Sequence, residues 1–354
     1  MNFASDNGAG AAPEILEAIV AASRGVAAAY GADEHTKAAE AKLSEIFERD
    51  VAAFLVATGT GANALALGAL APSWSGVFCH EESHIHDDEC GAPEFFTAGA
   101  KLVGIPGEGG KITPEALRET LARYPRGLVK SVQPGALSLS QATEAGTIYS
   151  LDETAALCAL AHEHGVASHM DGARFANSLV ALGCSPADMS WRAGVDVLSF
   201  GATKNGALAC EAVIFFDQSK AEAFAFQRKR GGHTLSKGRF LGAQMNAYLK
   251  DGLWLRLAAR ANRAAERLAH GLAAIPGVRL AWPRQINEVF PIAPRAVVAP
   301  LTAAGARIYE WTSRAVSPDT AARPGETFLR LVCSFETGDA EVDQLIAIVR
   351  EHAA

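Results

Sequence analysis

The chain reads as an α/β protein, with an N-terminal arm and a large sheet domain over residues 1–250 and a smaller C-terminal α/β domain over 251–354. Three stretches predict it. Val195-Asp196-Val197-Leu198-Ser199-Phe200 is an apolar strand that runs straight into a small-residue turn, Gly201-Ala202-Thr203-Lys204-Asn205-Gly206. Upstream, a second apolar strand ends in His169-Met170-Asp171-Gly172-Ala173-Arg174, and a third, over 51–57, feeds the glycine-rich turn Thr58-Gly59-Thr60-Gly61. In an open α/β sheet, such strand ends form the edge where ligands bind. At 354 residues the chain exceeds the size at which a single core stops growing, which favours two domains.

Taken in order, Ser5-Asp6-Asn7-Gly8 reads as a cap or turn ahead of the first helix. Pro13 opens that helix at a first-turn position, where a missing N–H costs nothing. Tyr30-Gly31 closes it on this reading, and a second helix carries Ala39, Leu43, Ile46 and Phe47 at helical spacing. After the 51–57 strand a helix is expected from near Ala62. A glycine-rich turn entering a helix offers free N–H groups and the positive end of the dipole, so Gly59, Thr60 and Gly61 are candidates to cup a phosphate. A strand over 76–79 leads into Glu81-Glu82-Ser83-His84-Ile85-His86-Asp87-Asp88-Glu89. His84 and His86 are two apart and diverge in a helix, and the acids suit a helix start, so no metal site is expected.

Thr113-Pro114-Glu115 starts a helix to about residue 124, and the chain is then extended over 128–141, interrupted at Pro134-Gly135. An amphipathic helix over 151–164 ends at Gly165 as a left-handed cap would. Two roles compete for Arg174: a surface ion pair, or a planar fork gripping a carboxylate. Residues 211–216 form another strand, and helices run through the short basic cluster at 228–230 to about 249. Asp251-Gly252 marks the domain boundary, followed by an alanine-rich helix over 253–275 and strands over 277–281, 288–290 and 327–333. Arg330 interrupts the apolar run Phe328-Leu329-Arg330-Leu331-Val332, where strand alternation alone would turn it outward.

The formal charge of −7, with no basic stripe, excludes a nucleic-acid partner. Neither a signal-like N-terminus nor a run of about 18 apolar residues occurs, so the expectation is a cytoplasmic protein without a membrane partner. The six cysteines, at 79, 90, 158, 184, 210 and 333, show no Cys-x-x-Cys pair, which argues against a zinc site or a disulfide framework.

Lys204 and Asp171 carry the chemistry. A pyridoxal 5'-phosphate (PLP) enzyme needs a lysine for the Schiff base and a carboxylate to keep the pyridine nitrogen protonated, so that the ring accepts electrons. Alone, Lys204 reads as a solvated loop lysine, but its place between an apolar strand and small residues leaves little other reason for a charge there. The pair occurs together with Phe3-Ala4-Ser5-Asp6-Asn7 at the start and Asp88-Glu89-Cys90-Gly91-Ala92-Pro93-Glu94-Phe95 in the middle. In content and in order, from about residue 3 to the C-terminus, these motifs resemble the low-specificity L-threonine aldolases of the fold type I PLP family.

That resemblance implies the fold type I (aspartate aminotransferase-like) architecture, a mostly parallel seven-stranded sheet, and a homotetramer whose active sites are shared between subunits. It implies PLP-dependent, reversible retro-aldol cleavage of L-threonine, L-allo-threonine and related β-hydroxy-α-amino acids such as phenylserine to glycine and an aldehyde. Lys204 then carries PLP, Asp171 holds the ring nitrogen, and His84 stacks on the ring and is the candidate base for the β-hydroxyl, directly or through a water. Gly59, Thr60, Gly61 and Arg174 complete the cofactor contacts. Ser5, Arg174 and Arg330 grip the substrate carboxylate, and Tyr30 reaches a neighbouring subunit's site, although a helix-end tyrosine packed on its own core is the alternative. Lys237 and Arg239 approach a partner's phosphate, and His86, Asp87 and Asp88 fall where the aldehyde side chain is felt. One position departs from the pattern: relatives often carry a histidine for the substrate hydroxyl where this chain has Thr143, so a two-histidine mechanism does not carry over.

Other activities on the same fold, namely β-elimination, racemisation or serine hydroxymethyl transfer, use the same cofactor residues; no pteridine pocket for the last is evident. A non-catalytic PLP-binding protein would not need two substrate arginines. A nicotinamide dehydrogenase would need Gly-x-Gly-x-x-Gly followed by an acid about 20 positions on, which is missing.

Overall fold

The computed structural model describes residues 1–353. Its main sheet has seven strands, β1 (Ala52–Val56), β2 (Ser75–His80), β3 (Lys101–Ile105), β4 (Gln133–Ser140), β5 (Ala167–Gly172), β6 (Val197–Gly201) and β7 (Glu211–Phe215). They lie in the order β1-β7-β6-β5-β4-β2-β3. Every neighbouring pair from β6 to β3 is parallel, and β7 alone is antiparallel, to both β6 and β1. All strands but β7 therefore end at one edge, where β7 begins. Thr58, His84, Glu144, Asp171 and Lys204 lie in or just after these strand ends, and Glu211 opens β7 beside them.

The strands are buried because helices cover both faces. In β6 and β7 the alternation of the backbone splits the side chains between two cores. Leu198, Phe200, Ala212 and Ile214 face one, and Val197, Val213 and Phe215 the other. Phe200 is the hub of an aromatic cluster, its ring centroid 5.7 Å from Phe175, 5.6 Å from Trp254 and 6.1 Å from Phe47. The turn that follows is braced by Asn205, whose amide donates to Tyr248 Oη and to Trp254 O, both at 2.8 Å. Gly201 is required by packing: a Cβ there would lie 2.5 Å from Ala173 O and 2.7 Å from Ala173 Cα. The ends of β5 and β6 can close on each other only without that side chain.

Several boundaries differ from expectation. The first helix is Pro13–Ala22 with Ser23 as its C-cap, and Tyr30 lies in a separate turn at φ 59°. The helix after β1 starts at Gly59 because Thr58 caps it. Residues 128–132 are turn rather than strand, and Pro134-Gly135 does not end β4: β2 pairs Gly76 with Pro134 and then Val77 with Ala136, which leaves Gly135 as a bulge. The helices Ala221–Arg230 and Arg239–Leu249 are separate.

The C-terminal part holds a small antiparallel sheet of β8 (Arg279–Leu280), β9 (Glu288–Val289), β10 (Pro291–Pro294), β11 (Tyr309–Glu310) and β12 (Glu326–Val332). Two features cross the expected boundary at 251. The helix Leu253–Ala273 packs Leu253, Trp254 and Leu257 into the main core and Leu268 and Leu272 into the C-terminal one. The arm joins the C-terminal core as well: Phe3 is fully buried there, donates its N–H to Arg307 O at 2.9 Å and accepts from Val332 N–H at 2.8 Å. Among the described residues, no helix is long and apolar enough to cross a membrane.

Candidate active site

A cavity of about 430 Å³ opens at the shared strand edge, bounded by the first helical turn after β1, by His84, Asp171 and Lys204, and by Ser5 and Arg330 from the arm and β12. At one end Thr58 Oγ1 accepts the N–H of Gly61 at 3.0 Å, and Thr58 O accepts that of Ala62. Gly59 and Thr60 are left as the N–H groups with no acceptor among the described residues, at the positive end of a 12-residue helix. Gly61 leaves the expected cup: its N–H is taken, it is absent from the cavity wall, and a Cβ there would lie 2.2 Å from His233 Cε1. The His233 ring packs against it.

Deeper in the cavity, Asp171 is held at both oxygens, Oδ2 by Asn63 Nδ2 at 2.8 Å and Oδ1 by Ala173 N–H at 3.0 Å. Asn63 Nδ2 also donates to Glu89 Oε1 at 2.9 Å, and that oxygen lies 2.8 Å from His84 Nδ1. This hydrogen bond raises the pKa of His84 against the opposing effect of burial, and the negative charge of Asp171 acts in the same upward direction. Burial pushes the Glu89 carboxyl up. Behind Asp171, His169 sits between Ser138 Oγ and Ser199 Oγ at 2.9 Å each, and burial lowers its pKa to about 4, so it is neutral.

The arginines form a closed ionic group. Arg174 donates from Nε to Asp6 Oδ2 at 2.8 Å and from Nη2 to Asp6 Oδ1 at 3.0 Å, while its Nη1 lies 3.3 Å from Glu288 Oε2. Arg330 Nη2 is 3.0 Å from Glu288 Oε1, and its guanidinium lies 5.1 Å from the Trp311 ring centroid. Burial would raise the pKa of Asp6, but the charges of Arg174 and Lys204 outweigh it and hold the carboxyl below its ordinary value. The expected fork on Arg174 is present, then, but the carboxylate it grips is that of Asp6. Arg330 is the more accessible cation, at 15% side-chain exposure against 8%.

Thr143 faces away from the cavity, bonded to Gly109 O at 3.0 Å and to Thr147 Oγ1 at 2.8 Å. Its neighbour Glu144 takes a place in the wall, where Oε1 accepts His84 N–H at 2.8 Å and Ser140 Oγ–H at 2.9 Å. Glu211 accepts Ala202 N–H at 2.6 Å, and burial raises its carboxyl to about 7.

Two free N–H groups at one end suit a phosphate, a fixed carboxylate suits a pyridine nitrogen, and a lysine in the same wall suits an aldehyde carbon. Asn63 Oδ1 and Glu89 Oε2 are buried without partners beside them. These residues fit PLP. A model of the beta-eliminating lyase family matches residues 2–293. This chain belongs to that family. The lyase is 42% identical to the low specificity L-threonine aldolase of Pseudomonas aeruginosa, over 98% of this chain and 96% of that one. Among solved structures, it superposes on a threonine aldolase of Leishmania major with a TM-score of 0.91 at 29% identity, covering 100% and 99% of the two chains. A serine palmitoyltransferase structure containing PLP shares the fold, with a TM-score of 0.70 at 18% identity over 99% of this chain and 87% of that one. The fold is PLP fold type I.

In the lyase, then, Lys204, Asp171, His84, Gly59, Thr60, Ser5, Arg174 and Arg330 all border one cavity. Tyr30 does not: it is 57% exposed, with the Lys229 ammonium 4.8 Å over its ring. Lys237 is exposed, and Arg239 donates to Gly25 O. Of the acidic run, Asp88 lines the cavity, whereas His86 and Asp87 pair with each other and Asp87 also pairs with Arg314. Among the described residues, no group of three or more His, Cys, Asp or Glu side chains is placed to hold a metal ion. Sequence reasoning overlooked Asn63, Glu89 and Glu144. A polar residue in the otherwise apolar helix start Gly61-Ala62-Asn63-Ala64-Leu65 was the available signal for the first.

Proposed function

We propose that this lyase cleaves L-threonine, L-allo-threonine and related β-hydroxy-α-amino acids to glycine and an aldehyde, reversibly, with PLP as cofactor. The observation that carries this reading is the convergence of Lys204, Asp171 and Arg330 on one cavity in a chain closely similar to named threonine aldolases. When bound, PLP supplies an electron sink for the pair left on Cα as the Cα–Cβ bond breaks.

Lys204 would anchor the cofactor, Asp171 would pair with its ring nitrogen, and the Gly59 and Thr60 N–H groups would hold its phosphate. Asn63 and the Ala173 N–H keep the Asp171 carboxylate in one orientation. His84 would cover the ring face and contact the β-hydroxyl. Arg330 and Ser5 would take the substrate carboxylate, with Asp6 holding Arg174 rigidly behind them. Fixing that carboxylate sets which bond at Cα lies perpendicular to the ring, and orientation of this kind selects the bond that breaks.

The same reading places the lyase in the cytoplasm, in keeping with six unpaired cysteines, four of them buried. It also takes the lyase as a homotetramer in which Tyr30 serves a neighbouring subunit. The exposure of Val26, Tyr30 and Phe226 supports such an assembly. Lys204→Ala tests the function: the parent should show visible cofactor absorbance and release acetaldehyde from threonine, and the variant should lose both. Unchanged aldehyde release by the variant would end the scheme, and pyruvate from serine without aldehyde from threonine would favour elimination.

A further inference from the structure

Cleavage needs a group that removes the proton of the β-hydroxyl while the aldehyde carbonyl forms, and general bases work best with a pKa near the working pH. His84 is tied to Glu89 through Nδ1, a hydrogen bond that raises its pKa and leaves Nε2 as the ring nitrogen able to face a substrate. Thr143, in the place of the second histidine, is turned into the core.

Glu144 is a second proton acceptor in the same wall. It lines the cavity beside His84, with Oε1 fixed by the His84 N–H and by Ser140 Oγ–H, and Oε2 is buried with no partner. Charged groups bear on it from several elements: Asp171 from β5, and Arg174 from the turn after β5, whose own pKa it raises. The buried Tyr149 and Cys79 nearby have raised pKa values and stay neutral. Burial, reinforced by Asp171, pushes the Glu144 carboxyl up to about 7, so it exchanges a proton with little driving force at neutral pH.

We propose that Glu144 is the residue that takes the β-hydroxyl proton in cleavage and returns it to the aldehyde oxygen in synthesis; this rests on the aldolase reading above. In cleavage, the Glu144 carboxylate binds the proton and the O–H pair becomes the second bond of the aldehyde carbonyl. The Cα–Cβ bond breaks with its pair left on Cα. The proton on Glu144, released to solvent, balances the one that Cα takes up as glycine forms.

The test is Glu144→Gln, whose amide oxygen still accepts from the His84 N–H but cannot bind a proton. Since general-base catalysis contributes about 10²–10⁴-fold, kcat for threonine should fall by at least about 100-fold. The rise of kcat/KM with pH on the acid side should vanish, while cofactor content stays at the parent level. Glu144→Asp, which keeps a titrating carboxyl, should recover part of the rate together with that acid limb. In the cofactor-free protein, infrared difference spectra should show carboxylic-acid intensity that titrates near neutral pH, and Glu144→Gln should remove the share of Glu144 while leaving that of Glu211. A Glu144→Gln variant that cleaves at the parent rate with the same acid limb, or whose titrating carboxylic-acid intensity equals the parent's, overturns the proposal alone. A parent that releases no aldehyde overturns the aldolase reading and this proposal with it.

Discussion

Asp6 and Arg174 lie 168 residues apart in the chain and are joined by two hydrogen bonds, Nε to Oδ2 at 2.8 Å and Nη2 to Oδ1 at 3.0 Å. Asn287 adds a third to Asp6 Oδ2 at 3.0 Å. The arm, the turn after β5 and the residue that precedes β9 therefore meet in one buried ionic group.

Removing one partner of a buried pair leaves the other charged and uncompensated, at a cost of about 3–5 kcal/mol. Asp6→Asn should lower the urea midpoint accordingly. The sign with pH follows from the depressed pKa of Asp6. Its contribution is complete above the ordinary value of 3.8 and is lost as pH falls through the lower folded value. Urea midpoints between neutral and acid pH should thus fall less steeply in the variant than in the parent. A midpoint equal to that of the parent would show that Arg174 does not depend on Asp6.

Glu89→Gln removes the main cause that raises the His84 pKa. The imidazole should then titrate at lower pH, measured by nuclear magnetic resonance with labelled histidine. A raised folded value means that the stabilisation from His84 is complete below the ordinary 6.5 and is lost as pH rises through the folded value. The parent should lose this contribution on the alkaline side of 6.5, and the variant should not.

Gly201→Ala places a methyl group against the backbone of Ala173 rather than against a flexible side chain. Overpacking costs about 1–3 kcal/mol, and relief of the contact must part the ends of β5 and β6. The expected outcome is a lower melting temperature and weaker PLP binding in an absorbance titration. Parent-like binding would mean that the two strand ends tolerate separation.

Thr143→Val removes a hydroxyl that lies outside the cavity. Thr147 Oγ1 still donates to Gly109 O at 2.6 Å, so that carbonyl keeps a partner. We expect a loss of about 0.5–1.5 kcal/mol, the net worth of a typical hydrogen bond, and aldehyde release at the parent rate. A fall in kcat like that of Glu144→Gln would return the hydroxyl contact to Thr143.

Much of the architecture was legible because local patterns dictate it. The apolar runs that became β5, β6 and β7 fit between two helical layers. Helix ends were less legible: the first helix stops at Ala22, well before Tyr30-Gly31. At Gly61 the string of letters shows neither the Thr58 Oγ1 that accepts its N–H nor the His233 ring packed against it.

By itself the sequence determined the strand-end lysine and aspartate, the parallel sheet that carries them to one edge, and the family to which the chain belongs. These depend on contiguous residues, whose pattern a one-dimensional reading preserves. Only the tertiary structure decided which carboxylate Arg174 holds, that Asn63 links Glu89 to Asp171, and that Glu144 rather than Thr143 faces the cavity. Each of these turns on side-chain direction or on contacts between distant segments. Burial then sets the proton affinity of the groups brought together there, and burial exists only once the chain has folded.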